Sequence, residues 1–343
     1  MTLEYIDGFG DYSTAQMSRY ITAQWVNGGV TTFDGNLTIN ASGGRNGRGA
    51  LTTSNANYGA SWTLTTQATW TLGFAYKVGS LPGVNTGICM FSDAGTIQLS
   101  LRVNSDGTLS VLRGSPVATV LATSTQSISA GVWYHIQFQG TIHNTTGAYT
   151  LRVNSTDWLT ASSQNTRVSA NNSANQVGLG GYATSAIVVS YSDFFAESST
   201  TFHGDCLVET KFATGAGTTT NFTPSAGSNY QNVDEATPDD DTTYNSSVTT
   251  GHIDLYTYPA LTTGAGAVKA VVTVPVLRND AAGTVTVQSV YRSGAVNYFG
   301  ASNNIGSTTY APYKDIAAVD PNTSAAWTIA AVNSCEFGLK VVA

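Results

Sequence analysis

Large and small side chains alternate with a period of two along much of this chain, the mark of strands with one buried face. Trp70-Thr-Leu-Gly-Phe74-Ala-Tyr76 is the first clear case. Ile97–Val103 and Leu109–Arg113 alternate around Asn104-Ser-Asp-Gly107, a hairpin signal in which the Asp-Gly pair makes the turn. Val132–Phe138 and Ala148–Val153 form a second pair, with Gly147 in the connection, and Ile187–Tyr191 leads into Asp193-Phe-Phe195. Trp70, Phe74, Trp133 and Phe138 are the expected core residues. A short helix is expected over Ser13–Arg19, where a hydroxyl can cap its start.

Ala196-Glu-Ser-Ser-Thr-Thr201 is small and polar and reads as a linker, which places a domain boundary near it. Beyond it, Cys206–Lys211 reads as a strand and is followed by a Gly/Thr-rich loop. Thr242–Ser247, Ile253–Tyr258, Val268–Val276, Thr284–Tyr291 and the tail Phe337–Val342 alternate again, the tail closing a sheet. The expected fold class is all-β: two β-sandwich, jelly-roll-like domains in tandem, residues 1–200 and 201–343. Heptads and short repeats are lacking, which counts against a coiled-coil shaft or a β-helix.

Composition narrows this further. Charged residues are 10% of the chain, against roughly 25% in an ordinary globular protein. Thr, Ser, Asn and Gly must therefore supply the surface polarity, which suits strands and turns. Fourteen Lys and Arg against 21 Asp and Glu leave a net charge of −7. That balance argues against nucleic acid and against anionic lipid as partners. No apolar run spans a membrane. The opening MTLEYIDGFG lacks the regions of a signal peptide, so synthesis in a bacterial host cytoplasm and export within an assembled particle are expected. Cys89, Cys206 and Cys335 are far apart and odd in number; they read as reduced, partly buried small hydrophobes.

Gly131-Val-Trp-Tyr-His-Ile-Gln-Phe138, with Gly147 and the strand ending near Asn154, resembles the concanavalin A-like, or laminin-G-like, lectin and glucanase sandwiches. Ile6-Asp-Gly-Phe9 with Tyr12, and Gly44-Arg-Asn-Gly-Arg-Gly-Ala50, resemble phage-encoded versions of that domain. The second half resembles a module of tailed-phage structural proteins. The residues that carry this are Gly204-Asp205, Val208-Glu209, Phe222-Thr-Pro224, Asn229–Glu235, Pro238–Tyr244, His252–Tyr256, Asp320–Trp327 and Glu336–Leu339. The resemblance implies a place in a virion more strongly than any position within it.

Candidate chemistry is sparse. A glucanase needs two carboxylates about 5–9 Å apart across a cleft, and the relatives carry a Glu-x-Asp-x-x-Glu type strand. Asp93, Asp106, Asp157 and Asp193 are isolated instead, and no Gly-x-Ser-x-Gly elbow occurs. The chain is therefore expected not to be an enzyme. A sugar site would draw on Tyr58, Trp62 and Trp158, with Asn171–Asn175 to read hydroxyls. The preferred reading of Trp62 and Trp158 is that they plug the ends of the sandwich. Calcium, the one metal the resemblance suggests, would find its densest oxygen cluster at Asp239, Asp240 and Asp241. Adjacent residues on a strand alternate faces, however, so a solvated turn or a subunit contact is the preferred reading there. His135, His143, His203 and His252 lack a second His or Cys at ligand spacing and read as satisfied surface or strand residues.

The function expected is a non-enzymatic virion structural component of a tailed phage, in its tail, fibre or head decoration. Other virion proteins and further copies of the chain in a homo-oligomer would be its partners, and it could display a glycan-binding face. The alternative is a receptor-binding lectin module for a host surface polysaccharide; a glycan depolymerase is the third reading.

Overall fold

The computed structural model describes residues 3–26, 29–31, 35–181, 187–264 and 266–343. The chain is all-β and divides by contact into two compact units, residues 1–208 and 209–343. None of the described helices is long and apolar enough to cross a membrane.

Two eight-stranded antiparallel sheets face each other in the first unit. Across the first sheet the strands run Thr156–Gln164, Gly147–Val153, Tyr134–Thr141, Thr69–Val78, Val189–Glu197, Ala50–Thr53 and Leu37–Asn40, with Leu3–Asp7 also paired to Val189–Glu197. Across the second they run Thr119–Ser127, Thr108–Arg113, Thr96–Val103, Thr86–Asp93, Ala174–Gly180, Tyr58–Gln67, Ala23–Val26 and Gly29–Thr31. Trp70, Leu72, Phe74 and Tyr76 turn inward from one sheet, and Phe91, Leu99 and Leu101 from the other, all at most 1% exposed. Phe91 stacks on Phe138 across the gap at 5.3 Å between ring centroids. The Tyr191 hydroxyl donates across the same gap to the Ile88 carbonyl at 3.0 Å. Both hairpins expected from the alternation are formed in register, Val103 opposite Leu109 and Ile136 opposite Val153.

Trp133 departs from its expected place. Ile136 and Phe138 point into the core, so Trp133 has the opposite parity; it is half-buried, with the Lys77 ammonium 4.8 Å from its ring centroid. The short helix is a 3-10 turn, Thr14–Gln16, running into Met17–Tyr20, with Ser13 and Gln16 forming a capping box.

The region from 198 to 208 is where linker and strand were expected. The strand Val189–Glu197 continues to Glu197, and the following residues up to Val208 lie on the first unit without strand pairing. Cys206–Lys211 forms no strand; the Cys206 carbonyl and the Val208 amide are met by side chains, Arg45 and Asp193, rather than by a neighbouring ladder.

The second unit is built on one five-stranded antiparallel sheet, ordered Gly215–Thr220, Ile253–Thr257, Glu336–Val341, Val285–Ser293 and Val296–Ile305. The Gly/Thr-rich segment expected as a loop is thus an edge strand, and the C-terminal strand lies at the sheet's centre. Three two-stranded ribbons accompany it: Thr223–Pro224 with Asn245–Ser246, Val271–Thr273 with Asp315–Ala317, and Val276–Leu277 with Ala311–Pro312. Pro275 separates two of these ribbon strands, so the alternation over Val268–Val276 does not yield one long strand. Tyr291, Trp327, Cys335 and Phe337 form the core, packed by Val271 and Ala317 of a ribbon and by Ala331 and Val332 of the helix Ile329–Ser334.

Candidate functional site

The outward face of the first sheet carries a set of buried polar side chains, Thr71, His135, Gln137, Asp193 and Glu197. Alternation along Tyr134–Thr141 sends Ile136 and Phe138 inward and His135 and Gln137 outward. On the neighbouring strand Thr69–Val78 the outward residues Thr71, Gly73 and Ala75 are all small. A β-bulge between Ser192 and Phe195 then redirects the third strand. Asp193 adopts φ +55° in this bulge, a conformation that Asp tolerates better than most residues. The bulge turns Asp193, Phe195 and Glu197 to the same face. Phe195 lies directly over Gly73, where a Cβ would come within 2.0 Å of its ring, so only glycine fits.

Residues 198–208 roof this face. The Thr71 hydroxyl donates to the Ser199 carbonyl at 2.6 Å, and the Gly204 amide donates to Gln137 Oε1 at 3.2 Å. The Val208 amide donates to Asp193 Oδ1 at 2.8 Å. Arg45 is the central clamp: Nε donates to Asp193 Oδ2 at 3.2 Å, Nη2 to the Cys206 carbonyl at 2.7 Å, and Nη1 to Asp205. Phe202 of the roof stacks on Arg152, whose guanidinium carbon lies 4.1 Å from the ring centroid.

The Gly44–Ala50 segment therefore has a structural task. It hooks over Gly49, whose Cβ would fall 2.2 Å from the Phe9 carbonyl oxygen, and it presents Arg45 to the roof. Asp7 secures the other side of the hook, accepting the Phe9 amide at 2.8 Å and the hydroxyls of Tyr5 and Tyr12 at 3.0 and 3.2 Å.

Under the roof the electrostatics are unusual. His203 Nε2 lies 2.9 Å from Glu197 Oε2, and Glu197 is 1% exposed. His135 Nδ1 and Nε2, Gln137 Nε2 and Glu197 Oε1 are buried without a hydrogen-bond partner. Each such atom costs about 1–3 kcal/mol, so this face is held shut against a polar penalty. Burial depresses His135 to about 4, with Asp205 acting upward and Arg45 adding to the depression. Burial raises the Asp193 carboxyl, while the Val208 amide and Arg45 pull it back. His135 is therefore neutral near pH 7 rather than the satisfied residue expected from sequence. His143 and His252 are satisfied: His143 Nδ1 accepts the Thr145 and Thr146 amides, and His252 Nδ1 lies 2.9 Å from the Ser247 hydroxyl.

The expected sugar-site aromatics are not brought together. Trp62 is a core residue of the strand Tyr58–Gln67, 1% exposed and packed on Tyr5 and Phe194 at 5.3 and 4.6 Å, so its ring offers no platform. Tyr58 is half-buried at the start of that strand, and Trp158 is half-buried on the edge strand Thr156–Gln164 of the opposite sheet. Neither lies in the loop surroundings expected for it.

Asp239, Asp240 and Asp241 diverge. Asp239 accepts the Thr243 amide and hydroxyl, whereas Asp241 accepts Arg278 Nη2 at 2.7 Å and the Tyr310 hydroxyl at 3.1 Å. Among the described residues no group of three or more His, Cys, Asp or Glu is arranged to hold a metal ion. Other motif residues of the second half pin loops. Buried Asp254 accepts Asn229 Nδ2 and the Tyr256 hydroxyl, Trp327 Nε1 donates to the Ala317 carbonyl, and Glu336 accepts the Thr218 amide and hydroxyl. Burial acts to raise Glu209, but hydrogen bonds from Thr263, Thr262 and Lys211 outweigh it and hold the carboxyl well below the usual range.

No family model matches the chain, and no curated protein matches it. Similar solved structures include the cellulose induced protein Cip1, at 12% identity over 52% of this chain and 92% of that one, with a TM-score of 0.40. The alginate lyase Aly36B is similar at 12% identity over 55% and 91%, with a TM-score of 0.37. A Trypanosoma rangeli sialidase is similar at 16% identity over 47% of this chain and 27% of its own length, with a TM-score of 0.35. Likeness at this level carries no argument about activity.

Proposed function

We propose that the chain is a non-catalytic structural component of a tailed-phage particle, assembled with other virion proteins and with further copies of itself. The observation that supports this best is the roof. The face that holds His135, Asp193, Glu197 and His203 is spent on internal packing, with Glu197 held by His203 and His135 neutral beneath residues 198–208. General acid–base chemistry needs its groups within hydrogen-bond reach of a substrate, and here they are sealed. The motif residues that carry the phage resemblance, Asp7, Phe9, Gly49 and Arg45 in the first unit and Asp254, Trp327 and Glu336 in the second, act as pins of the fold, as a building block requires.

The test pairs two measurements. Recombinant chain is incubated with a panel of neutral and acidic polysaccharides while reducing ends and unsaturated uronate absorbance are followed. In parallel, its copy number is measured by quantitative peptide mass spectrometry in gradient-purified particles from the lysate in which it is made. The reading requires no turnover and a fixed copy number per particle. Turnover of any substrate, or loss of the chain from the particle band, overturns it.

A further inference from the structure

A second feature lies in the first unit, formed by loops beside strands of the second sheet, and takes no part in the roofed face. The turn at Gly95, the start of the strand Thr96–Val103, the end of the strand Thr108–Arg113, the turn from Gly114 to Ala118 and the loop at Arg167–Val168 enclose an open groove of about 580 Å³. That volume lies within the range of small-ligand sites. Two of its lining residues, Arg113 and Arg167, are cationic, and none is acidic. In a chain with 14 Lys and Arg and a net charge of −7, two arginines in one groove without a carboxylate are a local reversal of sign.

The Arg113 side chain makes no hydrogen bond or ion pair with any described residue, so its guanidinium donors are uncommitted. Arg167 Nη1 is anchored at 3.0 Å to both the Ala170 carbonyl and Asn172 Oδ1, which leaves its other donors available. The nearby carboxylate of Asp93 is taken by Ser169 and Asn171 at 2.7 and 2.9 Å.

The walls are built rather than incidental. Gln98, fully buried, accepts the Val168 and Ser169 amides through Oε1 and donates through Nε2 to Ser169 Oγ and the Asn171 and Ser173 carbonyls. The loop that carries Arg167 is thereby fixed on the sheet. Buried Ser100 donates to the Gly114 carbonyl at 2.7 Å, and the Gly114 amide donates to the Gln98 carbonyl at 2.8 Å, which fixes the opposite turn. A groove whose walls and one of whose cations, Arg167, are already positioned loses less freedom on binding.

We propose that this groove binds an oxyanion carried on a hydroxyl-rich molecule, an acidic saccharide bearing a carboxylate. Guanidinium groups match carboxylates in a two-pronged geometry that ammonium groups cannot. Thr96, Ser115 and Thr119 bring hydroxyl-bearing side chains to the same lining, suited to a sugar's own hydroxyls. No aromatic ring lines the groove, so recognition rests on charge and hydrogen bonds, and a neutral sugar of the same size lacks what the site selects. This site goes beyond the assembly role and does not depend on it.

The experiment is titration calorimetry on the full chain with three probes: trigalacturonate, neutral maltotriose and inorganic sulfate, each in 25 and 150 mM NaCl. Trigalacturonate is expected to bind at least tenfold more tightly than maltotriose and than sulfate, and to weaken with salt. R113Q and R167Q are each expected to weaken it at least tenfold with unchanged circular dichroism and thermal midpoint; the two variants are independent, so one that fails to fold leaves the other as the test. Equal affinity for trigalacturonate and maltotriose overturns the charge argument. Sulfate binding as tight as trigalacturonate reduces the site to one for a free inorganic anion and overturns the saccharide. A folded variant that binds like the parent overturns the placement.

Discussion

His135 shows how far a single residue can be moved from its ordinary state by its surroundings. Its ring lies 1% exposed on the outward side of a strand, with neither nitrogen hydrogen-bonded, and burial depresses it from 6.5 to about 4. A histidine with a lowered folded pKa lends stability above its unfolded pKa and loses it as the pH falls toward the folded value. The window is therefore about pH 6.5 down to 4, and the loss across it is on the order of a few kcal/mol, at about 1.4 kcal/mol per unit. Asp193 acts in the opposite sense: its folded carboxyl is raised, so it favours the fold as the pH drops through that raised value. Comparison of the parent with H135Q separates the two, since Asp193 is common to both. Urea unfolding at pH 7, 6, 5 and 4.5 should show the parent losing stability toward acid more steeply than H135Q. Parallel pH profiles would mean that His135 is not held neutral by burial.

Among the elements, the segment 198–208 depends on Arg45, and that dependence is measurable by hydrogen exchange. The R45A chain loses the bonds to Asp193, Asp205 and the Cys206 carbonyl together. The Gly204 and Val208 amides, which bond to Gln137 and Asp193, should then exchange at least tenfold faster, while Ile136 in the sheet keeps its protection. Unchanged exchange at Gly204 and Val208 would show that the roof is held by something other than this clamp. Much of the sheet structure was legible from alternation, as in the hairpin at Asn104–Gly107 and the strand Thr284–Tyr291, where large apolar residues mark one face. The strand Tyr58–Gln67 was not, because Gly, Ala, Ser and Thr around Trp62 blur the period and made a core tryptophan look like a loop residue. The roof was hidden for another reason: several of its contacts join distant residues, such as Thr71 with Ser199 and Gln137 with Gly204. One local signal did point to it. The outward positions Thr71, Gly73 and Ala75 are small, which an open solvent face does not require but a covered one does.

For the molecule as a whole, two all-β units poor in charge provide surfaces of Thr, Ser, Asn and Gly suited to wet, polar subunit contacts. A building block and an enzyme make different demands on such a chain. The first needs pinned loops and covered polar faces; the second needs an open cleft with reactive groups in reach. Asp7, Arg45, Asp254 and Trp327 meet the first demand, and the roof covers the acid–base groups of the face it lies on. The most direct test of this account is cryo-electron microscopy of purified particles from the lysate in which the chain is made, with the two units fitted into the density. The account predicts that both units occupy a symmetric, fully repeated position on the particle. Particles resolved at their head and tail with no density for either unit would contradict it.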